Sequence, residues 1–134
     1  MNQEDRQLLL KDLCARQPWG VKVQYNNKVY AIDYISAEYK EVKLDILDNY
    51  TVGISDIKPY LRTKSSMTIE EITRYRDLCA WNDVECYEFG EWTTKIVYND
   101  TWESIDYLNS IHVDYRGLID MGLALEAPKD MYKL

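Results

Sequence analysis

Apolar side chains recur at helical spacing near the start of the chain. Leu9, Leu10, Leu13 and Cys14 lie among Arg6, Lys11, Asp12 and Arg16, which predicts an amphipathic helix over residues 3–16. Pro18 and Gly20 end it. From Val21 the period drops to two. Val21, Val23 and Tyr25 alternate with Lys22 and Gln24, Asn26-Asn27 supplies residues that tolerate positive φ, and Val29 to Ile35 follows, which predicts a β-hairpin. Glu41 to Leu47 alternates Val42, Leu44 and Ile46 with Lys43 and Asp45, and Asp48-Asn49 marks a turn before Thr51 to Ile57. Four short antiparallel strands then form a meander, with Tyr30, Ile32 and Tyr34 packed on one face. Such a meander buries too little by itself, so helices must cover it, and the first helix is the nearest.

Thr68 followed by Glu71 is a capping box ahead of Ile69, Ile72, Tyr75 and Leu78, and predicts a second helix over 69–81. Between Asn82 and Tyr98 the pattern is weakest: Trp92 to Tyr98 has the β-branched density of a strand, whereas Glu85, Glu88, Phe89 and Gly90 read as a loop or hairpin. Asp100 with Glu103 repeats the capping logic for a third helix from Trp102 to about His112. Arg116 to Met121 forms a short helical segment stopped by Gly122, and the residues past Pro128 form a frayed tail. The expectation is an α+β fold in which a small antiparallel meander packs with an N-terminal helix and two to three C-terminal helices, with room for one returning strand. A single domain spans 1–134. Its first part, 1–66, is helix plus meander, and its second, 67–134, is acidic and mainly helical.

Composition adds boundaries rather than a function. The 134 residues are 46% hydrophobic and 29% charged, which suits one folded domain and excludes disordered and fibrous classes. No apolar run approaches the roughly 18 residues of a membrane span, and MNQEDRQLLLKDL lacks the basic start of a signal peptide, so a cytoplasmic location with no membrane partner is expected. Cys14, Cys79 and Cys86 are odd in number and form no CxxC pair, which predicts buried thiols in a reducing compartment. The net charge of −7 is uneven. Residues 1–66 hold 10 Lys and Arg against 9 Asp and Glu, and residues 67–134 hold 6 against 14, so polyanions are discouraged from the second half.

Chemical signatures are sparse. His112 is the sole histidine, and Ile105 and Leu108 place it on the apolar side of the third helix, where a hydrogen-bonded packing role is favoured over acid-base catalysis. A Cys–His pair with any of the cysteines has no local motif. Cys79, Cys86, His112 and Asp114 are zinc-compatible ligand types, but the gap between the cysteines fits no usual zinc spacing, so no metal is expected. Glu85, Glu88 and Glu91 beside Trp92 could flank a sugar as glycosidase carboxylates do, with a solvated acidic loop preferred. Nucleotide, serine-hydrolase and metalloprotease motifs are absent, and neither a cofactor nor a catalytic residue is assigned.

Twelve tyrosines and four tryptophans are the stronger signal, because these amphipathic side chains favour contact surfaces. Tyr25, Tyr39, Tyr50 and Tyr60 fall at expected strand ends and turns, and with Trp92 they are the candidate protein-binding residues. Lys58, Arg62 and Lys64 surround Tyr60 in KPYLRTK, the outline of a nucleic-acid platform, though a solvated connector is preferred.

The runs SDIKPYLR (55–62), SSMT (65–68) and HVDYRGLIDMGLALEAP (112–128) resemble a recurring set of small proteins of gut bacteria found near prophage and other mobile elements, a group with no assigned activity. The resemblance implies an accessory role and no site residues. The leading expectation is therefore a non-enzymatic protein-binding accessory factor of phage or mobile-element origin, with an unknown protein partner. The alternative is a nucleic-acid-associated module using Lys22, Lys28, Lys43, Lys58, Arg62 and Lys64. The third is a small hydrolase using His112.

Overall fold

Asn2 opens the first helix: its side chain accepts from the Asp5 N–H at 2.7 Å, and α1 runs Gln3–Arg16. The computed structural model describes residues 1–47 and 50–132, so the expected Asp48-Asn49 turn lies outside the described residues. After α1 come β1 (Lys22–Tyr25), β2 (Lys28–Ser36), β3 (Glu41–Leu44), β4 (Val52–Gly53) and β5 (Lys58–Leu61). Then follow α2 (Ile69–Leu78), β6 (Ala80–Glu88), β7 (Glu91–Asn99), α3 (Trp102–Ser110) and β8 (Leu125–Glu126). The fold is α+β.

Six strands make one sheet in the order β4-β3-β2-β1-β5-β8, so the expected antiparallel meander is its first four members. Asn26 and Asn27 have φ of 49° and 63°, the paired left-handed turn that suits the twist of a two-residue hairpin. Leu9 and Leu13 of α1 are fully buried against Val21, Val23, Val42, Leu44, Ile57 and Leu61, which is the apolar stripe meeting the apolar face of the sheet. A smaller cluster of Leu108, Ile111 and Val113 with Met67, Tyr75 and Ile105 joins α2 and α3. The Thr68–Glu71 capping box is present: Glu71 N–H donates to Thr68 Oγ1 (3.1 Å) and Thr68 N–H to Glu71 Oε1 (2.9 Å).

Several expectations are corrected. KPYLRTK is not a connector: its first four residues form β5, antiparallel to β1 and parallel to β8. Pro59 demotes the run when read locally, but the partners change around it. Val23 faces Pro59 itself, while β8 engages only Tyr60 and Leu61. The strand expected over 51–57 is cut to Val52–Gly53 by a 3-10 turn over Ile54–Asp56. Tyr34 does not pack with Tyr30. A bulge between Ile32 and Tyr34 breaks the alternation, leaving Tyr30 buried and Tyr34 exposed.

The third helix stops at Ser110, before His112, and is capped by Thr101 and Ser104 rather than by Asp100 and Glu103. Residues 116–121 make a tight turn, not a helix. Its end still follows the expected glycine rule, since Gly122 (φ 75°) donates to Ile119 C=O and Leu123 to Leu118 C=O, the paired bonds of a Schellman cap. Of the cysteines only Cys79 is buried, with Cys86 half-buried and Cys14 on the solvent side of α1. The tail is not frayed at Tyr132: its hydroxyl donates to the Tyr60 carbonyl (2.6 Å) and accepts from the Lys22 N–H (2.9 Å).

Candidate protein-binding arm

The segment of weakest pattern, 82–98, holds the most exposed structure. β6 and β7 pair in unbroken antiparallel register from Ala80↔Asn99 to Glu88↔Glu91 and form a two-stranded sheet of their own. The strands turn at Phe89-Gly90, with φ of 54° and 81°. A bulky residue is unfavourable in that left-handed region, and Phe89 has no packing to offset it because its side chain is fully exposed at the tip.

The root of the arm is fixed. Thr101 Oγ1 donates to the Leu78 carbonyl (2.6 Å), tying the start of α3 to the end of α2. The Tyr75 hydroxyl bonds the Asp100 carboxylate, and burial together with that carboxylate raises the Tyr75 phenol above its usual range. The Arg76 guanidinium lies over the Tyr98 ring, 5.5 Å from its centroid. From this root about nine residue pairs extend, on the order of 30 Å at strand rise.

Directly opposed residues share a face. One face therefore carries Trp81 with Tyr98, Asp83 with Ile96, Glu85 with Thr94, and Tyr87 with Trp92. Its Trp81, Tyr87, Trp92, Ile96 and Tyr98 are each 44–70% exposed, and Tyr87 meets Trp92 edge-on at 5.3 Å. The other face presents Asn82, Val84, Cys86, Val97 and Lys95, with Lys95 Nζ 2.6 Å from Glu88. Glu85 is thus on the opposite face from Glu88 and Glu91, so the three carboxylates do not enclose a common cleft.

The other singled-out residues are dispersed. Tyr25 is half-buried beside Tyr30, while Tyr39 and Tyr50 are exposed in connecting segments. Tyr60 is half-buried, its phenol accepting from Gln24 Nε2 (3.3 Å). Only Trp92 stands with further exposed aromatics. Ile96 and Tyr98 lie in the strand expected over 92–98, whereas Trp81 and Tyr87 were legible only as alternating positions before Phe89-Gly90, where Asp83 and Glu85 masked the strand. Lys58 and Lys64 are exposed, but Arg62 grips Glu71 through two bonds (2.7 and 2.8 Å) and joins β5 to the start of α2; this hydrogen bonding raises the guanidinium and lowers the carboxyl.

His112 is 2% exposed, with φ of 61°, and its ring stacks on Tyr132 at 4.0 Å. Nε2 lies 3.1 Å from the Trp19 carbonyl, which can only accept, so Nε2 carries the proton. Burial and the nearby Arg16 charge push its pKa down to about 4, so the ring is neutral at pH 7. Neither ring nitrogen bonds a cysteine or carboxylate among the described residues. Asp114 accepts from Leu118 and Ile119 N–H (3.0 and 2.9 Å), and no group of three potential ligands among the described residues is placed to hold a metal.

No family model matches the chain, and no curated protein or solved structure gives a match. Among the described residues no helix is long and apolar enough to cross a membrane.

Proposed function

We propose that this protein is a non-enzymatic protein-binding accessory factor whose contact element is the 80–99 arm. The observation that carries this reading is the arm's aromatic face, five large side chains on one side of a hairpin that remain 44–70% exposed beyond the contact of Arg76 with Tyr98 at the root. A lone two-stranded hairpin is marginal in water, and exposed aromatics cost hydration free energy that docking against a partner recovers. Tyr and Trp suit such a surface because they contribute large contact area with little rotamer entropy to lose. An accessory role also accords with the resemblance to mobile-element proteins.

The test is capture from lysate by the tagged full chain, after nuclease, beside a Tyr87→Ser/Trp92→Ser variant with an unchanged circular dichroism spectrum. A nuclease-resistant partner retained by the wild type and lost by the variant supports the reading. Retention by the variant places the contact elsewhere. Loss of every partner to nuclease favours the nucleic-acid alternative.

A further inference from the structure

The arm has open edges as well as an open face. In a two-stranded sheet, alternate backbone N–H and C=O groups of each strand point away from the partner strand, and among the described residues those of β6 pair with no other element. Asp83 and Glu85 lie on β6 two residues apart on the aromatic face, between Trp81 toward the root and Tyr87 toward the tip. Across the hairpin they face Ile96 and Thr94, and among the described residues neither carboxylate has an ion-pair partner. The arm's one cation, Lys95, projects from the other face and is bonded to Glu88.

From this arrangement we infer that the β6 edge takes up an extended segment of a partner protein as a third strand, and that the segment carries two basic residues, best arginines, at alternate positions flanked by apolar ones. The inference rests on the binding-arm reading and deepens it. Strand addition satisfies the open backbone groups, and the pleat then fixes which side chains meet. Same-face neighbours on any strand recur about every 7 Å, so residues i and i+2 of the incoming strand fall beside Asp83 and Glu85. Apolar residues at i−2 and i+4 fall beside Trp81 and Tyr87. Arginine fits better than lysine because its planar group bonds a carboxylate with two parallel N–H donors and stacks on an aromatic face.

Charge also selects the edge and disfavours a second copy of this chain. On β7 the same basic residues would fall beside Ile96 and Thr94, or beside Lys95 on the other face, rather than beside the acidic pair. A symmetric face-to-face dimer would set Asp83 and Glu85, at the middle of the face, against the same residues of its mate, in a chain of net charge −7.

The test titrates the isotope-labelled full chain with a short synthetic peptide containing Val-Thr-Arg-Thr-Arg-Thr-Val, and with the same peptide carrying glutamine for arginine, following backbone amide shifts. The expected result is saturable shifts concentrated in 80–88, with the glutamine peptide at least about tenfold weaker. In Asp83→Asn/Glu85→Gln the two peptides should bind alike. Equal binding to the wild type overturns the basic-strand inference and leaves the binding arm standing. Shifts centred on 91–99 overturn the choice of edge, and a dimer in sedimentation that excludes the peptide makes a second copy the occupant. Failure of both peptides, with arm-dependent capture from lysate intact, also overturns this inference alone, whereas capture that ignores the arm variant overturns both readings.

Discussion

Tyr132 lies flat on His112, ring centroids 4.0 Å apart and planes 27° apart, so the C-terminal segment roofs the one histidine. The same phenol bonds Lys22 of β1 and Tyr60 of β5, joining two neighbouring strands. Tyr132→Phe keeps the stack but leaves a strand N–H and a carbonyl without this partner. It should cost about 1–3 kcal/mol in urea unfolding, with faster hydrogen exchange at the Lys22 amide.

His112 makes stability depend on pH. Its folded pKa of about 4 lies below the unfolded value of 6.5, so between these values the unfolded chain binds the proton that the folded chain refuses. Stability is therefore present above pH 6.5 and is lost as pH falls toward 4, by up to about 3 kcal/mol. His112→Asn tolerates the left-handed backbone and removes the titration. Its stability should be lower at neutral pH and should fall less between these limits. Comparing the two proteins separates His112 from Asp12, whose burial-raised carboxyl contributes a slope of opposite sign.

Asp12 and Arg16 are fully buried on the core side of α1, where a helix exposes charge only at a cost. Asp12 accepts from Arg16 Nε (2.9 Å) and Arg116 Nε (3.1 Å), while Arg16 Nη2 reaches the Val113 carbonyl (2.7 Å). Asp12→Ala strands the Arg16 guanidinium in the interior and should cost about 3–5 kcal/mol. Asp12→Leu with Arg16→Met should cost clearly less than the sum of the single changes, giving a large coupling in a double-mutant cycle.

Asn27 offers a change of the other sign. At φ 63° in a left-handed hairpin turn, glycine removes the Cβ penalty, and Asn27→Gly should raise stability by about 0.5–1 kcal/mol. Asn27→Val should lower it, because a β-branched residue resists that backbone. Thermal unfolding of the pair checks both signs.

The arm should open before the body does. Its amides have little apolar cover, so those bonded between β6 and β7 should exchange faster than those between β1 and β2. Saturating partner should slow them selectively. Equal protection in the free protein would mean that the arm is held by more than its root.

Legibility followed the range of the interactions. Asn26-Asn27, the Thr68–Glu71 box and the glycine at 122 were readable because each depends on neighbours within a few residues, and the structure reproduces them. The candidate site was half readable: Trp92 and the Phe89-Gly90 turn stood out, whereas Asp83 and Glu85 hid the alternation that makes Trp81 and Tyr87 one face with Trp92 and Tyr98.

The sequence by itself determined α1, the antiparallel meander, the two later helices and the acidic character of the second half, since periodicity and caps are written locally. Tertiary structure alone decided that Pro59 sits in a strand, that Tyr34 turns outward, that Arg62 is spent on Glu71 and that Tyr132 docks on His112. Each of these depends on what lies across space from a residue. The arm's exposure is of the same kind: a period of two shows which side chains share a face, and only the packed molecule shows that this face stays exposed beyond the Arg76 contact at its root.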